Sequence, residues 1–178
     1  MSIKSLTIYC SSSENLDSEY YDLASNIGKY LAKKSIKIVY GGGNLGLMGT
    51  ISNTAHNNGG EVIGIITKFL LPKEGLNQNI TNTIIVNTMS ERKKKLFDMG
   101  EAFVILQGGS GTIEEATEVI SWKFLGLHNK DIIIFNYKGY WDELIKVYQK
   151  ARDSKFANRN LQNICKHINT LKEFKSIF

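Results

Sequence analysis

The stretch Ile36-Lys37-Ile38-Val39-Tyr40-Gly41-Gly42-Gly43-Asn44-Leu45-Gly46 runs from a β-branched segment through three glycines into a segment with helical spacing, Leu45 to Asn57. The same passage recurs later: Ala102 to Leu106 leads into Gln107-Gly108-Gly109-Ser110-Gly111-Thr112-Ile113-Glu114-Glu115, which opens a helical pattern from Thr112 to Leu127. A strand that hands over to a helix through glycines is the unit of a parallel α/β sheet. Working outward, Ile3 to Cys10, Glu61 to Thr67, Thr83 to Val86 and Asp131 to Phe135 read as further strands. Ser18 to Lys34, Met89 to Gly100 and Trp141 to Arg152 read as helices. The tail from Asn158 to Phe178 reads as a short strand near His167 to Leu171 and a helix from Lys172. Runs such as Val104-Ile105-Leu106 and Ile132-Ile133-Ile134 are apolar at every position, so both faces of the sheet must be covered. The expected fold is a single α/β domain over residues 1–178, a Rossmann-like doubly wound parallel sheet with helices on both faces.

The chain has 178 residues, 42% of them apolar and 22% charged, with one proline, which fits one globular unit rather than a disordered or fibrous chain. The formal charge of +5 is spread through helices, and the only tight basic run is Arg92-Lys93-Lys94-Lys95, so a small anionic ligand is expected rather than nucleic acid. Cys10 and Cys165 lie far apart with no CxxC spacing, which speaks against a disulfide framework or a zinc site and for reduced, buried thiols. No leader pattern and no apolar run of about 18 residues is found, so no membrane partner is expected and the cytoplasm is the expected location.

In parallel sheets, ligands collect beyond the carboxyl ends of the strands, where both glycine clusters and Cys10-Ser11-Ser12-Ser13 fall. Glycines let a ligand approach the backbone, and the unpaired N–H groups of a helix start attract an anion. The first cluster formally matches GxGxxG, with Glu61 about twenty positions on. Glu61 opens its strand instead of ending it, which at ~3.3 Å per residue leaves it roughly 15 Å from the crevice. A dinucleotide site is therefore disfavoured, and no GxxxxGK[ST], GxSxG or HExxH pattern is present.

The second cluster has two readings. Thr112 and Glu115 form the T-x-x-E pattern of a capping box, or Glu115 is a carboxylate aimed at a sugar whose phosphate rests on the helix start. The segment from Thr88 also opens with T-x-x-E and then packs cations into the first two helical turns, against the macrodipole. Met89, Arg92, Lys93 and Leu96 fall at i, i+3, i+4 and i+7, so Arg92 and Lys93 share an inward stripe, and a cation aimed at the crevice should meet a substrate anion or a carboxylate there. The histidines His56, His128 and His167 fall late in or after their elements and read as surface or capping groups.

Taken in order, Cys10 to Ser13, Tyr40 to Gly49, Gly59 to Leu70, Met89 to Lys93 and Gln107 to Trp122 resemble the successive motifs of the Lonely Guy family of cytokinin riboside 5'-monophosphate phosphoribohydrolases, long labelled lysine decarboxylases. The resemblance implies hydrolysis of the N-glycosidic bond in an N6-modified adenosine 5'-monophosphate, or in AMP itself, to free base and ribose 5-phosphate. By position it implies Arg92 and Glu115 as the catalytic pair and Gly108, Gly109, Gly111 and Thr112 as the 5'-phosphate site. Ser12, Gly42, Gly43, Met89 and Lys93 would line the nucleotide pocket. It further implies a homodimer and no cofactor or metal. Arg92 would either stabilise the leaving base or orient Glu115. The runner-up is a nucleotide-binding sensor without turnover. Trp122, Phe124, Leu125 and Leu127 read either as an interface or as ordinary core. Three positions depart from the family pattern: Ser11 replaces a glycine, Ser90 a frequent histidine, and Gln107 a proline, the last expected to loosen its turn.

Overall fold

A computed structural model describes residues 3–157 and 161–178. Asn158, Arg159 and Asn160, where the expected tail begins, lie outside the described residues. The elements follow the β-α rhythm closely: β1 Ser5–Tyr9, α1 Ser18–Lys33, β2 Lys37–Tyr40, α2 Gly46–Asn57, β3 Val62–Thr67, α3 Leu71–Glu74, β4 Asn82–Val86, α4 Met89–Met99, β5 Ala102–Ile105, α5 Ser110–Phe124, β6 Asp131–Phe135, α6 Asp142–Asp153, β7 Lys166–Ile168 and α7 Leu171–Ile177.

All seven strands lie in one sheet in the order β4-β3-β2-β1-β5-β6-β7, every pair parallel. The chain builds one half outward from β1 and then returns to start the other half at β5, which pairs with β1 from Leu6 opposite Ala102 to Tyr9 opposite Ile105. The direction of winding reverses between β1 and β5. That is the place where an open parallel sheet leaves a crevice at its carboxyl edge.

Period-two alternation along the strands sorts the core into two layers. Leu6, Ile8, Ile38, Tyr40 and Val104 face Leu23, Ile27 and Leu31 of α1, Leu47 and Ile51 of α2 and Phe174 of α7. Tyr9, Val39, Ile65, Phe103, Ile105, Ile132 and Ile134 face Leu96 of α4 and Ala116, Val119 and Ile120 of α5. Each fully buried Leu, Ile or Phe contributes about 1.5–3 kcal/mol of burial, so the central strands form a rigid platform on which loop residues can be held.

The short helix α3 was not foreseen. Its cue is local: Pro72 stands just inside its start and Gly75, at φ 68°, just past its end, the expected asymmetry of helix termini.

Candidate active site

The turns after β1, β2 and β5 meet, as expected, around one cavity of about 190 Å³. Its wall includes Cys10 to Ser13, Gly41, Met48, Glu74, Arg92, Gly109 to Thr112 and Glu115. The turns are tied to each other through backbone. Ser11 N–H donates to Gln107 O at 2.9 Å, and Ser11 O accepts from the N–H groups of Leu47 and Met48 at 3.0 and 3.2 Å.

This last contact separates the two glycine clusters. Two first-turn donors of α2, Leu47 and Met48 N–H, are spent on Ser11, and Gly46 sits so close to Ser12 and Ser13 that a Cβ there would lie 2.4 Å from Ser13 O. The first cluster is thus a packing joint. At α5, Gly109 is the N-cap, the helix begins at Ser110, and the first-turn residues Ser110, Gly111 and Thr112 line the cavity. Orphan N–H groups of a first turn are donors awaiting an acceptor.

Because α5 starts two residues earlier than the sequence pattern indicates, the capping-box reading of Thr112 and Glu115 fails. Gly109 has no side chain with which to cap, and Thr112 stands in the third helical position. A Cβ on Gly108 would meet Thr112 Oγ1 at 2.1 Å, so the threonine side chain packs back onto the glycine turn. Glu115 falls one turn further on and faces the cavity.

Arg92 reaches that carboxylate from α4. A complete capping box between Thr88 and Glu91 fixes the start of α4, and Arg92, four residues on, is 5% exposed. Its Nε–H donates to Ile65 O at 2.9 Å, one Nη to Gly41 O at 3.2 Å and the other to Glu115 Oε1 at 3.1 Å. A carbonyl within β3 and one just past the end of β2 therefore aim the guanidinium. Gly41 leaves the room for this, since a Cβ there would lie 2.2 Å from Arg92 Nη2 and displace the guanidinium.

The Glu115 side chain is 12% exposed. Burial pushes its carboxyl up from the ordinary 4.5 to about 7, against the downward pull of Arg92 and with further upward pushes from Glu114 and Glu74. Glu74 is the functional candidate that sequence reading missed. It arrives on α3, is held by Asn44 N–H donating to its carbonyl at 3.1 Å, and lies against Gly43. Its Oε2 is buried with no hydrogen-bond partner among the described residues, and burial raises its pKa. The segment beyond it is anchored by buried Asn77, which donates to Ser52 Oγ and Asn53 Oδ1, each at 3.0 Å. Two carboxyls and one guanidinium thus share a small enclosed space.

The structure brings together Ser12, Arg92, Gly109, Gly111, Thr112 and Glu115 in this wall. Gly42, Gly43, Met89, Lys93 and Gly108 are placed just outside it. Gly42, at φ 81°, packs on Ile65 and Ile66, while Gly43 backs Glu74. Gly108 supports Thr112, and Met89 is 42% exposed. Lys93 turns to the outer side of α5, pairing with Glu114 at 2.6 Å and Glu118 at 3.0 Å.

Gln107 does not loosen its turn. It is buried, and its Nε2 donates to Phe135 O at 2.8 Å, tying β5 to β6. Ser11 accepts from Ser13 N–H through its hydroxyl at 3.0 Å, which stiffens the turn after β1. Glu61 lies at the opposite edge of the sheet, paired with Lys37 at 2.9 Å. His128 is buried against Val119 O and the Lys130 N–H, away from the cavity. Among the described residues there is no cluster of three His, Cys, Asp or Glu side chains fit to hold a metal.

The fold is similar to that of a molybdenum cofactor binding protein from Rippkaea orientalis, with a TM-score of 0.71 and 18% identity over 99% of this chain and 98% of that one. It is equally similar to the molybdenum cofactor carrier protein from Chlamydomonas reinhardtii, at 0.71 and 16% over 97% and 93%. These likenesses concern the fold alone. In sequence, residues 48–176 match the family described as "Possible lysine decarboxylase". Two cytokinin riboside 5'-monophosphate phosphoribohydrolases of Arabidopsis thaliana are 39% identical over 89% of this chain and 75% of their own length, and 38% over 94% and 78%. One from Oryza sativa is 36% identical over 94% and 69%. A match this long at this identity means that the chain belongs to the Lonely Guy family of cytokinin riboside 5'-monophosphate phosphoribohydrolases.

Proposed function

We propose that the protein hydrolyses the N-glycosidic bond of N6-modified adenosine 5'-monophosphates, or of AMP itself, to free base and ribose 5-phosphate. The observation that carries this reading is the buried Arg92–Glu115 pair set in the same small cavity as the open first turn of α5. The helix start would take the 5'-phosphate through the N–H groups of Ser110, Gly111 and Thr112. The ribose is then held within reach of Glu115.

Cleavage breaks the bond from C1' to the base nitrogen and forms a bond from C1' to a water oxygen. The electron pair of the broken bond leaves with the base, one water proton goes to the base, and the other stays on the new hydroxyl. Positive charge develops at the sugar, and a carboxylate held beside it stabilises that charge and orients the water. Ionised Glu115 fits this task. All three nitrogen positions of Arg92 are engaged, two on main-chain carbonyls, which supports the orienting role over direct contact with the base. Glu74 complements it: its carboxyl lines the same wall, with Oε2 buried and without a hydrogen-bond partner among the described residues, which places it to bond to sugar or base.

Leu125 and Leu127, 74% and 67% exposed, support a homodimer through the end of α5. Trp122 and Phe124, by contrast, are half-buried, the first edge-on to Phe97 and the second stacked on Tyr148. Light scattering of Leu125→Glu against wild type tests the assembly. Two free, buried thiols, Cys10 and Cys165, support a reducing, cytoplasmic location.

Incubation of the protein with N6-isopentenyladenosine 5'-monophosphate and with AMP, with free base followed by chromatography, tests the activity. Base release that is lost in Glu115→Gln is the expected result. Tight nucleotide binding with no base from either substrate would point instead to a sensor without turnover.

A further inference from the structure

The loop that opens α5 has a weakness that its composition creates. The peptide joining Gly108 to Gly109 is flanked by two residues without Cβ atoms, so rotation of that peptide meets little steric resistance. A planar trans peptide carries its carbonyl and its N–H on opposite sides. A half-turn would therefore replace a donor facing the cavity with an acceptor. An anion is attracted by the first and repelled by the second.

One side chain from the connection after the adjacent strand β6 bears on this peptide, and the residue before the peptide is held on both sides. Tyr140 O–H donates to Gly108 O at 3.0 Å. The tyrosine is 45% exposed and stands edge-on to Trp141, with ring centroids 4.9 Å apart. It is delivered by the connection after β6, where Lys138 and Gly139 take φ values of 54° and 74°. Buried Asn136 closes that connection, accepting from Trp141 N–H at 2.7 Å and donating to Asp142 at 2.7 Å. Gln107, the residue before the pair, is held by its carbonyl on Ser11 N–H and by its side chain on Phe135 O.

The peptide is a partition. Gly109 lines the cavity of Arg92 and Glu115 on one side and a smaller hollow bounded by Leu16, Tyr20 and Tyr140 on the other. With its carbonyl turned to Tyr140, the peptide must turn the Gly109 N–H toward the reaction side.

We propose that Tyr140 and Gln107 are positioning residues that lock the orientation of the Gly108–Gly109 peptide, so that the loop presents a donor rather than an acceptor to the substrate's 5'-phosphate. The inference rests on the assignment of that phosphate to the first turn of α5. It gives Gln107, which departs from the family proline, the task of fixing the turn by a hydrogen bond to the next strand instead of by a ring.

The test is calorimetric binding of ribose 5-phosphate and of adenosine to wild type, Tyr140→Phe and Gln107→Leu, with KM and kcat measured for the nucleotide. Tyr140→Phe removes one oxygen from a half-exposed ring, so it keeps the test alive if the buried Gln107→Leu fails to fold. Losing the tether should weaken ribose 5-phosphate about five- to tenfold, leave adenosine affinity unchanged, and raise KM while kcat holds. A merely structural role would move both ligands together, or only the melting temperature, and would overturn the proposal. Unchanged ribose 5-phosphate affinity in Tyr140→Phe also overturns it. Wild type that binds no ribose 5-phosphate would refute the phosphate assignment itself, and this proposal with it.

Discussion

The two edges of the sheet carry similar charges in opposite circumstances. At the amino edge, a hollow of about 1020 Å³, several times the size of the cavity around Arg92 and Glu115, is lined by Lys4, Lys34, Lys37, Glu61, Glu101, Asp131 and Lys166. Its ion pairs, Lys37 with Glu61 and Lys166 with Asp131, are one-third to one-half exposed. At the carboxyl edge, Arg92 and Glu115 form their pair at 6% and 12% exposure. Exposed pairs are solvated and screened and contribute little. A buried pair carries a desolvation cost that only compensating hydrogen bonds offset. The comparison teaches that enclosure of charge, rather than size of hollow, singles out the proposed site.

The strongest way to break this contrast is to remove the enclosed charges. Glu115→Gln or Arg92→Leu should lower kcat for the nucleotide by about 10³-fold or more, measured by base release. Retention of a tenth of the rate would refute the central role given to the pair. Next in size is Gly41→Ala, whose added methyl must displace the guanidinium. It should cost about 10–100-fold in kcat/KM while the fold, followed by circular dichroism, persists.

Acidity sharpens the contrast further. Only ionised Glu115 stabilises a developing cation, so kcat/KM should fall as pH drops below about 7. Stability should run the other way. Between pH 4.5 and 7 the folded protein keeps a proton on Glu115 that the unfolded chain has lost, so this group's contribution to stability declines as pH rises through that window and is level above it. Denaturant melts of Glu115→Gln against wild type should show the variant's relative stability climbing from pH 4.5 to 7. The smallest effect belongs to the amino edge. Lys37→Met with Glu61→Gln should change unfolding free energy by under about 1 kcal/mol and leave turnover unaltered.

How much of this was legible in the sequence follows from how local each cause is. Glycines after strands, a T-x-x-E cap and a period-3.6 stripe act within a few residues, so the parallel sheet, the start of α4 and the inward direction of Arg92 could all be read directly. Glu61 could be set aside by counting residues along its strand. Gly41, rather than Gly42 or Gly43, proved to be the glycine against Arg92 because that depends on a helix from a different part of the chain. Glu74 escaped because its helix is a single turn, and Lys93 because its acidic partners lie on α5. The stiffening by Gln107 depends on which strand lies beside β5, and strand order is not written in any short stretch of residues.

The pairing of β1 with β5 joins Leu6 to Ala102, and it has a consequence for synthesis. Everything from β1 to α4 can be translated and begin to assemble while the carboxylate partner of Arg92 has yet to be made. A growing chain therefore carries an unmatched cation toward the ribosome exit until the fifth strand docks, and competence for hydrolysis arises only as a late, non-local event. A chain whose translation stops before Glu115 lacks half of the buried pair.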